Sequence, residues 1–141
     1  MRVYDSRLSQ EQVYRLLLLG DNDFVPSIHE SIDIEAYAGK LSKFASFILV
    51  EEDDDIRGCI AYYKNLEGNF IYISHFWVSS LYQRRHYGSR MLETLIASYR
   101  DEYHEIRLEV VKSNPAYLFY LTHGFCVKED RGHKYLLLLK L

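Results

Sequence analysis

The chain has 141 residues, 48% of them hydrophobic and 26% charged, with a formal net charge of -3. That length favours one domain spanning 1–141, large enough to fold around its own core. The weakly acidic balance excludes a general attraction to nucleic acid or an anionic membrane, and two cysteines are too few for a disulfide scaffold.

The opening stretch, MRVYDSRLSQEQ, is polar and lacks the apolar segment of a signal peptide. No apolar run approaches the roughly 20 residues that span a bilayer. A cytoplasmic location with reduced thiols is therefore expected. Residues 1–6 suit a short strand. Ser9 and Gln12 have the spacing of a capping box, and the helix they start carries Val13, Leu16 and Leu17 before stopping at Gly20. A loop with Pro26 follows. Ile34, Tyr37, Leu41 and Phe44 recur at helical spacing and predict a second amphipathic helix.

Ser46 to Val50 and Ile56 to Tyr63 read as strands. The acidic run Glu51 to Asp55 between them reads as a solvated hairpin turn rather than a binding patch. Asn69 to Val78 (NFIYISHFWV) is a third strand, rich in aromatic and β-branched residues. Ser79 to Arg85 is polar and reads as a loop. Gly88 to Arg100 follows as a helix with Met91, Leu92, Leu95, Ile96 and Tyr99 on one stripe. Apolar and charged residues alternate over 105–111, as in a strand. Asn114 and Pro115 are an N-cap and a first helical residue, and the helix they start ends at Gly124. Phe125 to Val127 and Tyr135 to Leu141 close the chain as two strands. Cys59 and Cys126 fall in strands and read as small core residues. The order is strand, two helices, three strands, helix, strand, helix, two strands, which makes an α+β fold.

The segment Val78 to Ser89 (VSSLYQRRHYGS) runs from a strand through a polar loop into a helix. Helix N-termini expose unpartnered N–H groups and the positive end of the dipole, and so bind phosphates. Arg84, Arg85 and Arg90 add cations there, His86 a further donor, and Gly88 a place where backbone can approach a ligand. Two arginines at a helix start oppose the dipole unless an anion sits on them, which is an argument for a pyrophosphate. The six histidines are scattered, with no HExxH and no Cys/His cluster, so no metal site is expected.

Gln83-Arg84-Arg85-His86-Tyr87-Gly88 resembles the Q/R-x-x-G-x-G/A motif of the GNAT superfamily of N-acetyltransferases. Leu108-Glu109-Val110, Asn114-Pro115-Ala116, Phe119-Tyr120 and Gly124-Phe125 resemble the family's second signature, in the right order. The resemblance implies a GNAT-like fold, with a mixed, mostly antiparallel central sheet flanked by helices. It also implies an acyltransferase that moves the acetyl group of acetyl-CoA directly to a primary amine on a small-molecule or peptide acceptor. A homodimer is a further expectation from the family. The implied cofactor contacts are Phe76 and Val78 along the pantetheine, then Gln83, Arg84, Arg85, His86, Tyr87, Gly88 and Ser89 around the pyrophosphate, with Asn114 and Tyr120. His86 occupies the first glycine position of the motif, and its side chain is expected to point to solvent, leaving the amides available.

Tyr120 matches the family tyrosine that serves the departing thiolate. Glu109 matches the glutamate that acts as base in one branch. In another branch the base lies on the preceding strand, and the corresponding residue here is Tyr72, which is no base near neutral pH. His75 and a water chain are the other candidates for that role. Glu109 could instead be a strand residue paired with Arg107 or Lys112. A non-catalytic CoA-binding regulatory module on the same fold is the alternative reading. Residues 20–45 and 128–135 are expected to set acceptor specificity. Asp21, Asp23 and Glu30 in the first stretch would form an acidic patch suited to a cationic amine.

Overall fold

In the computed structural model every residue is described except Val25 and the side chains of Tyr82, Gln83 and Arg84. The elements run β1 (Arg2–Ser6), α1 (Gln10–Leu19), a 3-10 turn (Asp21–Asp23), α2 (Ile28–Ser31), α3 (Ile34–Phe44), β2 (Ser46–Glu52), β3 (Asp55–Asn65) and β4 (Phe70–Val78). A second 3-10 segment (Ser80–Arg85) leads into α4 (Tyr87–Tyr99), β5 (Glu105–Val111), α5 (Ala116–Thr122), β6 (Cys126–Asp130) and β7 (Lys134–Lys140). The expected order of long elements is present. The short α2 and both 3-10 segments are additions, too brief to leave a periodic signal.

The capping box forms as its spacing requires. The Gln12 N–H donates to Ser9 Oγ at 3.2 Å, and the Ser9 N–H donates to Gln12 Oε1 at 2.9 Å. Gly20 ends α1, and a Cβ there would lie 2.6 Å from the Trp77 indole. On α3 the buried stripe is Ile34, Ala38 and Leu41, whereas Phe44 at the last turn is exposed.

All seven strands form one sheet, ordered β1-β2-β3-β4-β5-β7-β6. Every pair is antiparallel except β4 with β5, which are joined through α4. Both faces are covered. Ile48, Ile60, Ile71 and Leu108 pack with α4 and α5, and Phe47, Leu49, Cys59 and Ala61 pack with α1 and α3. Burial on both sides explains why β2 to β4 read as near-continuous apolar runs. Cys126 departs from expectation. It is exposed because β6 is an edge strand whose residues all face solvent, while Cys59 is fully buried.

Two details of this sheet shape the site. Ser74 has no partner on β3, since Ala61 pairs with His75 and Tyr62 with Ile73. This bulge reverses the alternation of β4. Ile71 and Ile73 before it face α4, whereas after it Phe76 and Val78 take that face and His75 and Trp77 point toward α1 and α3. Secondly, β4 pairs with β5 only from Phe70–Glu105 to Ile73–Leu108, and the strands part beyond that point.

Among the described residues, no helix is long and apolar enough to cross a membrane. The acidic run forms the expected hairpin turn, with Asp53 and Asp54 at φ 54° and 65°. A pair at positive φ suits Asn-Gly far better than Asp-Asp. Asp54→Gly is expected to raise unfolding free energy by about 1 kcal/mol in urea titrations, and a loss of stability would contradict this account of the turn.

Candidate active site

Tyr120 of α5 packs against Phe76, on the stretch of β4 beyond its last pair with β5. Its ring is held edge-on by Phe76, Phe119 and Phe125, with centroids 5.8, 5.5 and 5.6 Å away. The residue is 7% exposed, and among the described residues no protein group takes its hydroxyl. Burial pushes the phenol above its ordinary value, so it stays protonated.

Glu109 lies one residue past the last β4–β5 pair and faces the opposite side, toward α3. Its carboxylate accepts from the Tyr72 hydroxyl at 3.2 Å and lies 3.4 Å from the Arg131 guanidinium. Neither Arg107 nor Lys112 is its partner. Arg107 pairs with Glu105, and Lys112 pairs with Asp130. Tyr72 and Arg131 were not legible as one unit with Glu109, because they come from β4 and from the β6–β7 turn. Burial, with Glu109 beside it, pushes the Tyr72 phenol up to about 12.

The 3-10 segment and α4 form the predicted loop-to-helix junction. No acidic residue occupies the first turn of α4, and Arg85 and Arg90 are exposed there. The side chains of Gln83 and Arg84 lie outside the described residues. His86 takes φ 62° and ψ 22°, a left-handed conformation, with its side chain exposed. That backbone conformation is the one glycine adopts without strain. Tyr87 turns inward. Its side chain is buried and its hydroxyl donates to Glu52, so only its backbone faces the junction. Glu52 reaches this segment from β2, a contact without sequence signature. A Cβ on Gly88 would meet Phe119 and Phe76 at 3.4 and 3.5 Å, so this glycine rests directly on two of the rings that hold Tyr120.

Ser89 and His123 join α4 to α5. His123 Nδ1 lies 2.8 Å from the Phe119 carbonyl, which only accepts, so Nδ1 carries the proton. In the neutral ring Nε2 then accepts from Ser89 Oγ at 2.9 Å. Asn114 Oδ1 accepts from the Ala116 N–H at 2.9 Å, as a cap does.

The profile of the Acetyltransferase (GNAT) family matches residues 11–125. The chain belongs to this family of acetyltransferases. Its fold is that of the PaiA N-acetyltransferase from Thermoplasma acidophilum, solved in complex with coenzyme A. The two superpose with a TM-score of 0.77 at 19% identity, covering 100% of both chains. A GNAT family acetyltransferase from Elizabethkingia anophelis, with acetyl-CoA bound, gives 0.74 at 18% identity over 99% of this chain and 97% of that one. The IAA acetyltransferase from Bacillus cereus gives 0.72 at 15% identity over 99% and 100%. No curated protein sequence matches the chain.

Beside the parting strands this GNAT chain has a cavity of about 600 Å³, whose lining includes Phe24, Ile28, Asp33, Tyr37, Ser74 and His75. The His75 ring lies 5.2 Å from Phe24 and 6.3 Å from Tyr37. Of the acids expected to form a patch, Asp21 and Asp23 turn into the fold and Glu30 is exposed. Asp21 is buried and accepts from the His29 N–H and ring, and Asp23 accepts from the Trp77 indole at 2.8 Å and the Ser80 N–H at 3.2 Å. Both carboxylates are committed within the fold.

Burial pulls the His75 imidazole down to about 4. The ring is therefore neutral in the folded state at neutral pH. The unfolded imidazole takes a proton near 6.5, so the native state is undisturbed above that pH and loses stability as pH falls toward 4, by about 3 kcal/mol in all. His75→Gln is expected to remove that share of the decline in urea unfolding measured across the window. An unchanged slope would mean that His75 is protonated while the chain is folded.

Proposed function

We propose that the chain transfers the acetyl group of acetyl-CoA directly to a primary amine, without an acyl-enzyme. The observation that carries this reading is the Tyr120 hydroxyl, held by three phenylalanines where β4 and β5 part and left without a protein partner among the described residues. The support for the cofactor is the fit of the surroundings. Beyond Ile73 the pairing of β4 runs with β3, so pantetheine amides can lie along the stretch containing Phe76 and Val78. The start of α4, Tyr87 to Ser89, offers helix N–H groups to the pyrophosphate. Asn114 is assigned the cofactor contact that the family motif implies, alongside its cap.

The thioester supplies an activated acetyl group. The acceptor must lose a proton before its nitrogen can attack. We assign that proton to Glu109, directly or through water. The alternative, His75, would have to become charged in a buried site, whereas Glu109 loses a charge on protonation. As the carbon–nitrogen bond forms and the carbon–sulfur bond breaks, the second proton of the nitrogen ends on the sulfur. Tyr120 is a weaker acid than a thiol, so its role is to donate a hydrogen bond to the developing thiolate. A backbone N–H near Val78 is assigned to the oxyanion, as in other acyl transfers.

Isothermal titration with acetyl-CoA is expected to give saturable binding, and its absence at high ligand concentration would remove the enzyme reading. Tyr120→Phe is expected to lower kcat about 100-fold while leaving acetyl-CoA affinity within a factor of about two. An unchanged kcat would remove Tyr120 from its role. Binding of acetyl-CoA with no transfer to any amine would favour the non-catalytic module.

A further inference from the structure

We infer that the acceptor is an amine carrying an apolar, preferably aromatic, body and a single positive charge, seated in the cavity between α2, α3 and the β4 bulge. This rests on the acetyl-transfer reading and names the substrate class for that same site.

The cavity begins where the sheet parts. Ser74 and His75 line it, and Ile73 is the last residue of β4 paired with β5. Its position therefore puts a bound acceptor beside the gap assigned to the thioester. Its size, about 600 Å³, is that of a small-molecule site. The walls are apolar and ring-rich. Phe24, Tyr37 and His75 already form a tilted and edge-on cluster, and an added aromatic ring extends such packing favourably. Ile28 and Ile32 complete the apolar lining, and Ile32 is 42% exposed without such an occupant.

The charges argue against a polycation. Asp33 is the one carboxylate in the lining, and it already accepts from the Ala36 N–H as the cap of α3. Lys40 in the same lining repels further positive charge. Asp21 and Asp23 are bound to His29 and to Trp77 and Ser80, and the exposed Glu30 and Glu35 are not part of the lining. The remaining polar groups are neutral. Tyr37 donates to the Ser74 carbonyl at 3.1 Å with its phenol pushed up by burial to about 12, and His75 is uncharged at neutral pH. A polyamine or aminoglycoside would bring several ammonium groups to a wall with one committed acid. A monoamine brings one, which goes to the gap.

The test is release of coenzyme A thiol with 2-phenylethylamine, spermidine and kanamycin as acceptors. It is paired with calorimetric binding of 2-phenylethylamine to the full chain saturated with coenzyme A. The expected result is a kcat/KM for 2-phenylethylamine at least about tenfold above the other two. Ala36→Trp fills the cavity from an exposed helical position and is expected to raise KM about tenfold or more, leaving acetyl-CoA affinity unchanged. Ala36→Leu is a smaller filler should the tryptophan variant melt early. Preference for spermidine or kanamycin would overturn the inference and leave acetyl transfer standing. Equal KM in wild type and both fillers would also overturn it. Binding of 2-phenylethylamine that Ala36→Trp abolishes, with no acetylation of any amine, would uphold the cavity and overturn the transfer reading. No binding and no acetylation would overturn both.

Discussion

Strand β4 has two strand neighbours along its first half and one along its second, and unpaired Ser74 sits at the change. A sheet with β5 fully paired would continue the β4–β5 hydrogen bonds past Ile73 and Leu108. The bulge also decides which side chains look where. One extra residue turns Phe76 and Val78 toward α4 and α5, and His75 and Trp77 toward α1 and α3. Tyr37 anchors the bulge by donating to its carbonyl. The bulge is thus hydrogen-bonded from the same helix that walls the cavity.

Groups that share no element flank the point where β4 and β5 part. Tyr120 comes from α5 on one face, and Glu109, with Tyr72 and Arg131, lies on the other. The aromatic cage does more than bury Tyr120. Edge-on ring pairs contribute roughly 0.5–1.5 kcal/mol each beyond their buried area, and three of them hold the phenol in one orientation. The Ser89–His123 bond ties the start of α4 to α5, the helix that carries Tyr120.

Electrostatics divide the chain in a way its net charge of -3 conceals. Arg85 and Arg90 are exposed at the start of α4, where the helix dipole disfavours cations, and the Glu52 carboxylate bonded by Tyr87 lies within electrostatic range of Arg85. Two acids that precede the cavity stretch are spent on the fold. Asp21 holds α2 through His29, and Asp23 holds the Trp77 indole and the Ser80 amide. The composition of residues 20–45 reads as acidic, yet two of its carboxylates are bound within the fold.

The sequence by itself determined the elements and their order. Helical and strand periodicity, the Ser9–Gln12 capping box, and the glycines at positions 20 and 124 act within one or two turns of chain. Both family motifs were also legible, because each lies within one loop-to-helix segment. The tertiary structure alone decided partnerships. Cys126 became exposed because β6 ended at the sheet edge, and Phe44 because α3 turned Ala38 inward. Tyr87 went to Glu52, and Glu109 to Tyr72 and Arg131, across separations of 35, 37 and 22 residues. The physical reason is that periodicity tells which side of an element is apolar, while register, bulges and strand order tell what stands opposite. A single extra residue at Ser74 reverses a strand's facing, and no local pattern in NFIYISHFWV marks where it falls.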